Sequence, residues 1–430
     1  MRNPDSSLNR RSFLRRTALA SATAIAFPHL RTAAADIGSG LRAGVRVGVI
    51  GTGGRGSALM NSAVANVVAV CDVDSKHLAA AAATVEKKTS RKPSQFTDYR
   101  RLLESADIDA VIVGAPDHWH ALMTTHACQA GKDVYCEKPL TLTIHEGRVM
   151  TDVARATRRI VQTGSQQRSD DKFRLGCELV RNGRIGRIRK VRVGLTHVNF
   201  SAPPVPDGEP PAELNYDLWL GPAPWRPYNA NRVHYNFRFF WDYSGGQMTN
   251  WGAHHLDIAQ WGLGMDASGP LEIEATARFD PEKRFEVPVE SDITYRYAEG
   301  ITLFCTQGPE RKTGTTFEGD KGWIHVNRGN IEASDEDLLV TPLPADATRL
   351  YVSKDHMDNW FDGIKTRKLP ICDVEIGHRS ATVCHLGSLA MRLGRKLTWD
   401  PVKEEFPGDA KANAMRHYAY RKPWELPKVS

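Results

Sequence analysis

A glycine-rich turn near the start of the chain places the strongest constraint on its fold. Residues 45–50, with the sequence VRVGVI, form a short valine-rich run that stops at residues 51–56, with the sequence GTGGRG. Such a run predicts a buried parallel strand, and the glycines after it predict a tight turn into a helix that begins near Gly56. A second valine-rich run, residues 66–74, ends in acidic residues and precedes an alanine-rich helix. The sequence therefore predicts a β-α-β unit at this end of the chain.

The spacing of the glycines in this turn matches the dinucleotide-binding loop G-x-G-x-x-G. Gly51 permits the tight turn, Gly53 lets the backbone approach a pyrophosphate, and Gly56 lets the helix pack close to the strand. The first N–H groups of the helix then offer hydrogen bonds and partial positive charge to the phosphates. The predicted cofactor-binding residues of this loop are Gly51, Gly53, Gly54, Arg55 and Gly56.

Asp72 indicates which dinucleotide would bind. It ends the second predicted strand 21 residues after Gly51, where a carboxylate can accept hydrogen bonds from both ribose hydroxyls of NAD and would repel a 2′-phosphate. Arg55 could pair with such a phosphate, so NADP also stays open. The sequence predicts NAD as the cofactor, with NADP as the alternative.

The chain divides into two regions of different pattern. Strands alternate with helices until about residue 168, which predicts a doubly wound parallel sheet of the Rossmann type. From about residue 185, successive strand patterns predict a second, sheet-dominated domain, and a mature chain of about 395 residues exceeds the usual size of one core. The predicted division is a nucleotide-binding domain at 44–165, a C-terminal domain at 166–395 whose helices near 354–395 pack back on the first domain, and an extension at 396–430.

Residues 215–247, which we name the aromatic insert, form a segment rich in proline, glycine and aromatic residues. Ordered loops of this length are usually functional, and the aromatic content argues against disorder. The aromatic rings could face sugar rings, or they could form a small hydrophobic core of their own.

The first 35 residues predict an export signal. They combine Arg10 and Arg11 with an apolar stretch and the small residues 33–35, a pattern typical of a cleaved signal. The paired arginines resemble the twin-arginine signal that exports folded proteins. The apolar stretch is too short to span a bilayer, and no cysteine precedes Cys71, so a stable membrane anchor is not expected. We therefore expect a periplasmic or secreted protein.

Most of the excess positive charge lies in this leader. The formal charge of the chain is +7, but residues 1–35 contain six arginines and one aspartate, which leaves 51 − 49 = +2 for the rest. Because the remaining chain is nearly neutral, nucleic acid is not an expected partner. The seven cysteines are scattered and lack C-x-x-C spacing, so neither a disulfide framework nor a metal site is predicted.

Three further motifs carry a family resemblance. They are GAPDHWHA at residues 114–121, CEKPL at residues 136–140 and GGQMTNWGAHHLDIAQW at residues 245–261. With the glycine-rich loop, they resemble the glucose-fructose oxidoreductase and inositol dehydrogenase (Gfo/Idh/MocA) family over nearly the whole mature chain. The resemblance implies a Rossmann domain followed by an α+β domain with a large open, mostly antiparallel sheet. It also implies a homodimer or homotetramer formed through that sheet, and a small carbohydrate or glycoside as substrate.

The resemblance implies catalytic roles for Lys138 and His254. Lys138 is the lysine of the family's E-K-P motif, and its ammonium beside a substrate hydroxyl would favour alkoxide character as hydride leaves. His254 matches the family's catalytic histidine, and an imidazole suits a general base that takes the hydroxyl proton. Glu137 would contact the nicotinamide side of the cofactor or brace Lys138. His255 lies next to His254 and could be the functional histidine instead, in contact with substrate.

One position departs from the family pattern. The family has aspartate four residues before the catalytic histidine, and this chain has Asn250. An asparagine could orient the imidazole through its carbonyl oxygen, but it cannot stabilise an imidazolium as a carboxylate does. Asp257, three residues after His254, could supply the missing charge or could be a helix-surface residue.

Further candidates follow the ends of later strands, where sheets of this type bind ligands. Pro116 and His120 resemble the family's loop beside the nicotinamide. Gln167 and Arg168 follow the next strand end and could contact substrate.

Export of an NAD protein favours a cofactor that stays bound, because no soluble pool outside the cytoplasm is expected to replace it. Three functions stay open. The first is an NAD(P)-dependent oxidoreductase that acts on a hydroxyl of a sugar, polyol or glycoside. The second is a redox-neutral glycosidase that oxidises a ring hydroxyl, eliminates the aglycone, adds water and reduces the ketone again. The third is a carbohydrate-binding protein without catalysis that retains NAD as a structural element.

Overall fold

The computed structural model describes Gly40 and residues 42–428, and the predicted export signal at residues 1–35 lies outside them. The first part of the described chain forms a six-stranded parallel sheet in the order β3-β2-β1-β4-β5-β6. Its strands are β1 Val47–Ile50, β2 Val67–Cys71, β3 Ser94–Phe96, β4 Ala110–Val113, β5 Asp133–Cys136 and β6 Val161–Thr163. Every residue of β1 and β4 is buried, which explains why both are continuous apolar runs without alternation.

Five helices accompany the strands of this sheet. They are α1 Gly54–Ser62, α2 Ser75–Thr89, α3 Tyr99–Leu103, α4 Asp117–Gln129 and α5 Ile144–Thr157. The strand order reverses between β1 and β4, so the turns after these two strands open a crevice at their carboxyl ends. This topology confirms the predicted doubly wound sheet of the Rossmann type. Helix α1 begins two residues before the predicted start.

The second sheet has eight strands in the order β13-β12-β11-β7-β10-β9-β8-β14. Its strands are β7 Ile188–Leu195, β8 Glu272–Phe279, β9 Pro288–Arg296, β10 Thr302–Gln307, β11 Gly314–Gly319, β12 Gly322–Asn327, β13 Asn330–Ala333 and β14 Leu397–Thr398. Neighbouring strands are antiparallel except for β7 and β10, which are parallel. The predicted large, mostly antiparallel sheet is therefore confirmed, although the sequence pattern predicts none of β11, β13 and β14.

The remaining described α-helices all follow β6 in the chain. They are α6 Asp171–Arg181, α7 Tyr216–Leu220, α8 Gln247–Asn250, α9 Gly252–Leu263, α10 Asp337–Val340, α11 His356–Thr366, α12 Val374–Leu393 and α13 Ala410–Ala414, with 3-10 turns at Val64–Asn66, Gln166–Ser169, His234–Phe239 and Ala298–Gly300. Helix α12 contacts α5 in the first domain and both α9 and β8 in the second. Met357, Trp360 and Phe361 of α11 pack in the same core as β1. Helices α11 and α12 thus both pack against the first domain.

The aromatic insert forms a hydrophobic core of its own. Trp219, Phe239 and Tyr243 are buried in a cluster that is separate from the cores of the two sheets. This cluster is one of the two roles that the sequence leaves open for these aromatic residues. Trp219 of this cluster also lines the cavity described below, together with Tyr235 and Phe237 of the insert.

All seven cysteines are buried, and none of them is in a disulfide. Among the described residues, no helix is both long and apolar enough to cross a membrane.

Candidate functional site

A cavity of about 960 Å³ opens at the crevice where the order of the parallel strands reverses. Its walls come from the turns after β1, β2, β4 and β5, from α8 and α9, and from the aromatic insert. The predicted site residues in its lining are Gly51, Gly53, Gly54, Arg55, Asp72, Pro116, His120, Glu137, Lys138, Gln167, Asn250 and His254. The predicted site residues outside its lining are Gly56, Arg168, His255 and Asp257.

The turn after β1 accepts only glycine at two positions. Gly51 has a positive φ of 80°, a conformation that residues with a side chain rarely adopt. A Cβ atom at Gly56 would lie 1.8 Å from the carbonyl oxygen of Gly51, so no larger residue fits there. Helix α1 has no side-chain cap and no acidic residue in its first turn. Its first N–H groups are therefore free to bind an anion, which fits the pyrophosphate of a dinucleotide.

The carboxylate of Asp72 is held in place just after β2. Oδ2 accepts hydrogen bonds from Thr52 N at 2.7 Å and from Thr52 Oγ1 at 3.0 Å, and Oδ1 accepts from Asp74 N at 2.9 Å. The side chain is 9% exposed and borders the cavity. A carboxylate fixed in this position suits a ribose diol and disfavours a phosphate there.

Arg55 forms an ion pair with Glu137. Arg55 Nε donates to Glu137 Oε1 at 2.8 Å, and the same oxygen accepts from Gln166 Nε2 at 2.9 Å. The Glu137 side chain is 5% exposed, and a carboxylate so buried needs a cation to offset its desolvation. Glu137 Oε2 also accepts from Lys138 N at 3.1 Å. Arg55 is thus engaged by Glu137, which weakens the alternative in which it binds the 2′-phosphate of NADP.

His120 is a buried cation beside the cavity. Its Nδ1 lies 2.7 Å from Pro139 O and its Nε2 lies 2.9 Å from Ala115 O. Because carbonyl oxygens only accept, both ring nitrogens must donate, and the ring must be doubly protonated. Burial opposes this charge, but the Cys136 sulfur, Asp117 and the Pro139 carbonyl outweigh burial and raise the pKa of His120 to about 10. The cation links the start of α4 to the E-K-P segment.

Lys138 and Asn250 are joined by two hydrogen bonds. Lys138 Nζ donates to Asn250 Oδ1 at 2.8 Å and to Asn250 O at 3.1 Å. Asn250 Nδ2 donates to Gln247 Oε1 at 3.1 Å, which fixes the amide with its oxygen toward the lysine. Burial lowers the pKa of Lys138, and Glu137 opposes this effect only in part. The prediction that Asn250 orients His254 is wrong, because Asn250 Oδ1 accepts from Lys138 and no hydrogen bond joins it to His254 among the described residues.

His254 lines the cavity as a neutral imidazole. Burial lowers its pKa well below the usual value, and the charges of Lys138 and Arg328 lower it further. Its Nδ1 has no hydrogen-bond partner among residues 42–428. The lone pair of a neutral ring can accept a proton from a bound hydroxyl, and the lowered pKa makes this ring a weaker base than a free imidazole.

Asp257 and Arg168 form a buried ion pair outside the cavity lining. Arg168 Nε lies 2.8 Å from Asp257 Oδ2, Arg168 Nη2 lies 2.8 Å from Asp257 Oδ1, and both side chains are 1% exposed. Ser380 Oγ donates to Asp257, and Arg168 also donates to Asp266. The predictions of Asp257 as charge partner of His254 or as a surface residue are wrong, and so is that of Arg168 as a substrate contact. Each charge is buried, and each offsets the desolvation of the other.

His255 and Gln167 are both predicted to contact substrate, but only Gln167 lines the cavity. His255 is buried, stacks on Trp251 with ring centroids 5.8 Å apart, and has no hydrogen-bond partner for either ring nitrogen among the described residues. Burial lowers the pKa of His255 to about 3. Its predicted substrate contact is wrong, because its ring is packed outside the cavity lining. Gln167 does line the cavity, and its amide can donate to His254 O at 3.1 Å.

The charged residues of the cavity lining that the sequence patterns do not single out include Asp117, Arg238 and Arg328. Asp117 accepts a hydrogen bond from Ser244 Oγ, and burial raises its pKa. Arg238 belongs to the aromatic insert, and its guanidinium carbon lies 3.9 Å from the centroid of the Tyr235 ring. The composition of the insert could have pointed to Arg238. No local signal points to Arg328, which follows β12 and reaches the cavity only through the fold.

Comparison with known proteins agrees with this geometry. Residues 45–165 match the Gfo/Idh/MocA model described as "Oxidoreductase family, NAD-binding Rossmann fold", and residues 193–426 match the one described as "Oxidoreductase family, C-terminal alpha/beta domain". An inositol 2-dehydrogenase of Saccharopolyspora erythraea is 37% identical over 135 residues, which are 30% of this chain and 39% of that protein. A glycosyl hydrolase family 109 protein of Shewanella pealeana is 36% identical over 123 residues, which are 27% of each chain. Both matches span less than half of the relative.

Solved structures share the fold over a larger part of the chain. The WlbA dehydrogenase of Bordetella pertussis, solved in complex with NADH and UDP-GlcNAcA, matches with a TM-score of 0.63 at 20% identity and covers 83% of this chain and 99% of that chain. The two family models confirm the predicted Rossmann fold and the predicted NAD-binding domain. The chain therefore belongs to the Gfo/Idh/MocA family of oxidoreductases.

Proposed function

We propose that the protein is an exported oxidoreductase that oxidises a hydroxyl of a sugar, polyol or glycoside and keeps its NAD tightly bound. The observation that carries this proposal is the shared cavity, whose lining includes the glycine-rich turn, Asp72, Lys138 and His254. The relatives support a carbohydrate substrate, since one is an inositol 2-dehydrogenase and another was solved with UDP-GlcNAcA.

Different residues of the cavity would carry out different parts of the reaction. Bound NAD supplies the acceptor for a hydride from the substrate carbon. Lys138 carries an ammonium that can stabilise negative charge on the substrate oxygen, and Asn250 holds that ammonium through the 2.8 Å hydrogen bond. His254 can accept the hydroxyl proton at the lone pair of its neutral ring.

The proposal of export rests on the paired Arg10 and Arg11 of the leader. A protein that folds around NAD before a twin-arginine export step would carry its cofactor with it to the periplasm or outside the cell. We expect the full chain to leave the cytoplasm and the double variant Arg10→Lys, Arg11→Lys to stay there. Cell fractionation measures this, and equal export of both chains would contradict the twin-arginine route.

A redox-neutral glycosidase is the second candidate, favoured by the 36% identity to the Shewanella glycosyl hydrolase family 109 protein. In such a cycle a ring carbinol loses hydride and its hydroxyl proton, and the neighbouring carbon loses a proton as the aglycone leaves with its bonding electrons. Water then adds to the double bond, and the hydride and a proton return to the ketone. Asp117, a buried carboxyl whose pKa burial raises, could give the departing aglycone its proton.

One experiment separates these functions. The mature protein would be mixed with free sugars, polyols and aryl α- and β-glycosides, beside Lys138→Met and the control Lys87→Met, which changes an exposed lysine of α2. An oxidoreductase gives NADH absorbance that persists in the wild type and control and is lost in Lys138→Met. A glycosidase releases aglycone with little persistent NADH.

Other results of the same experiment would contradict the proposal. Carbohydrate binding without NADH or aglycone would refute both enzymatic candidates and support a binding protein without catalysis. Equal reduction of bound NAD by Lys138→Met and the wild type would refute the role of Lys138. The NAD content of each variant is measured in parallel, so that loss of cofactor is not mistaken for loss of chemistry.

We also propose that the chain forms a homodimer or homotetramer through the open face of the eight-stranded sheet. Helices α6, α9 and α12 pack against strands of this sheet, and Val191 and Leu303 face that core. Arg192 and Phe304 alternate with them and contact each other on the other face, with the guanidinium carbon 5.7 Å from the ring centroid. A molar mass of two or four chains by light scattering would support assembly, and a single-chain mass would contradict it.

A further inference from the structure

The rim of the cofactor cavity beside β2 is built from two distant parts of the chain. One is the turn between β2 and α2, and the other is the segment that leads into the aromatic insert. Asn215 N donates to Val73 O and Ser75 N donates to Glu213 O, both at 2.9 Å. The entrance to the insert is therefore bonded directly to the turn that follows β2.

Three side chains meet at this rim, and they are Asp74, His77 and His234. Each offers one potential ligand atom, and these atoms all lie within 4.8 Å of one another. Asp74 Oδ2 lies 3.5 Å from His234 Nε2, and the centroids of the two imidazoles are 4.9 Å apart. All three residues also line the cavity.

The backbone holds these side chains in position. Asp74 Oδ1 caps helix α2 by accepting from Lys76 N at 2.8 Å and from His77 N at 3.1 Å, so Oδ2 is the oxygen nearer to His234. His234 has a positive φ of 49°, a conformation uncommon for a residue with a side chain. A carboxylate already oriented by backbone N–H groups resembles a metal ligand with its outer-shell partners in place.

We propose that Asp74, His77 and His234 bind a divalent transition-metal ion of the zinc class. Two imidazoles and a carboxylate suit Zn²⁺, whereas Mg²⁺ and Ca²⁺ prefer oxygen ligands. Ligand atoms about 2.0 to 2.2 Å from a tetrahedral zinc ion lie about 3.4 Å from one another, close to the 3.5 Å between Asp74 and His234. The side chains of His77 and His234 are 37% and 44% exposed, so both can rotate to complete the site.

Such an ion would clamp the aromatic insert to the turn after β2. Its bonds would join His234 of the insert to two residues of the Rossmann domain at the mouth of the cofactor cavity. The rim would then open more slowly, and NAD would dissociate more slowly. This consequence rests on the proposed retention of NAD, whereas the binding of the metal does not.

The test uses untagged mature protein that is treated with a chelator, dialysed and titrated with Zn²⁺, with bound metal counted by mass spectrometry. We expect one Zn²⁺ per chain. Binding by His234→Ala should be at least about 100-fold weaker, since even loss of an outer-shell partner costs about 10- to 100-fold. Asp74→Asn should also bind weakly while keeping the helix cap, because asparagine caps helices as well as aspartate does.

His145→Ala is the matched control. His145 and His417 form a second histidine pair with the same 4.9 Å ring separation, and among the described residues this pair belongs to no group of three metal-ligating side chains. We expect this variant to bind Zn²⁺ like the wild type. Equal binding by the wild type, His234→Ala and Asp74→Asn, or no stoichiometric binding by the wild type, would overturn the site.

Release of bound NAD is a separate readout, measured by exchange against labelled NAD with and without Zn²⁺. We expect Zn²⁺ to slow release from the wild type and not from His234→Ala. Unchanged release from zinc-loaded wild type would overturn the clamp and leave the metal count as evidence for the site. Protein that holds no NAD would refute the proposed retention, which the metal count distinguishes because it needs no cofactor.

Discussion

Two glycines of the glycine-rich loop should respond differently to replacement by alanine. Gly56→Ala should reduce the stability of the fold, and Gly53→Ala should weaken the binding of the cofactor. At Gly56 a Cβ atom would lie 1.8 Å from Gly51 O and 2.8 Å from Gly51 C, and backbone cannot retreat from that overlap. We expect Gly56→Ala to lose about 3 kcal/mol or more of folding free energy, the upper end of overpacking costs. At Gly53 the same atom would meet only His77, at 3.4 Å, on a backbone with φ −69° and ψ −173°. Gly53→Ala should leave stability unchanged or raise it by about 0.4–1 kcal/mol.

Gly53→Ala should instead weaken the binding of the cofactor. The added methyl group would keep the pyrophosphate away from the start of α1, and each lost hydrogen bond to a charged oxygen costs about 1.5–3 kcal/mol. One such bond corresponds to roughly 10- to 150-fold weaker binding. Urea unfolding of both variants and the NAD bound per chain after dialysis measure the two effects. Wild-type NAD binding by Gly53→Ala, or wild-type stability of Gly56→Ala, would refute the roles assigned to these glycines.

Three further variants separate positioning, charge and packing around the cavity. Asn250→Leu removes the 2.8 Å bond to Lys138 and should slow reduction of bound NAD by about 10-fold or more. An unchanged single-turnover rate at equal NAD content would contradict this role. The pKa of His120 is raised to about 10 in the folded protein, against about 6.5 when unfolded. Its stabilisation is therefore complete below about pH 6.5 and disappears as the pH rises through about 10. Urea unfolding of His120→Gln should show a deficit that shrinks over this range, and a constant deficit would contradict the charged ring. Arg168→Met should destabilise the fold by about 3–5 kcal/mol, because Asp257 would stay buried without its cation. An effect on KM alone would contradict this structural role.

The fold is predictable from the sequence where burial leaves a pattern in the chain. Strands β1 and β4 are buried throughout, and each appears as an apolar run that ends at a turn. Strands β11 and β13, with sequences GTTFEG and NIEA, carry no such run. They exist because β11 pairs with both β7 and β12, and β13 pairs with β12. Pairing between distant segments is what the local sequence does not show.

The candidate site, like the fold, is predictable from the sequence only where a local motif specifies it. The glycine-rich loop is a short local motif, and four of its five predicted residues line the cavity. Asn250 and Asp257 lie four and three residues from His254, which makes them natural partners on a helix. In the folded protein, Lys138 and Arg168 come from other parts of the chain and engage these two side chains instead. Contacts with distant parts of the chain therefore replace the two pairings that the local sequence suggests.

The nicotinamide content and redox state of the purified mature protein test the central proposal most directly. The protein would be denatured before and after incubation with a pooled panel of sugars, polyols and glycosides, and the released NAD and NADH would be quantified. We expect stoichiometric NAD that shifts to NADH on incubation. Protein without a nicotinamide cofactor, or bound NAD that stays oxidised while every carbohydrate in the panel is recovered unchanged, would contradict a carbohydrate oxidoreductase with a retained cofactor.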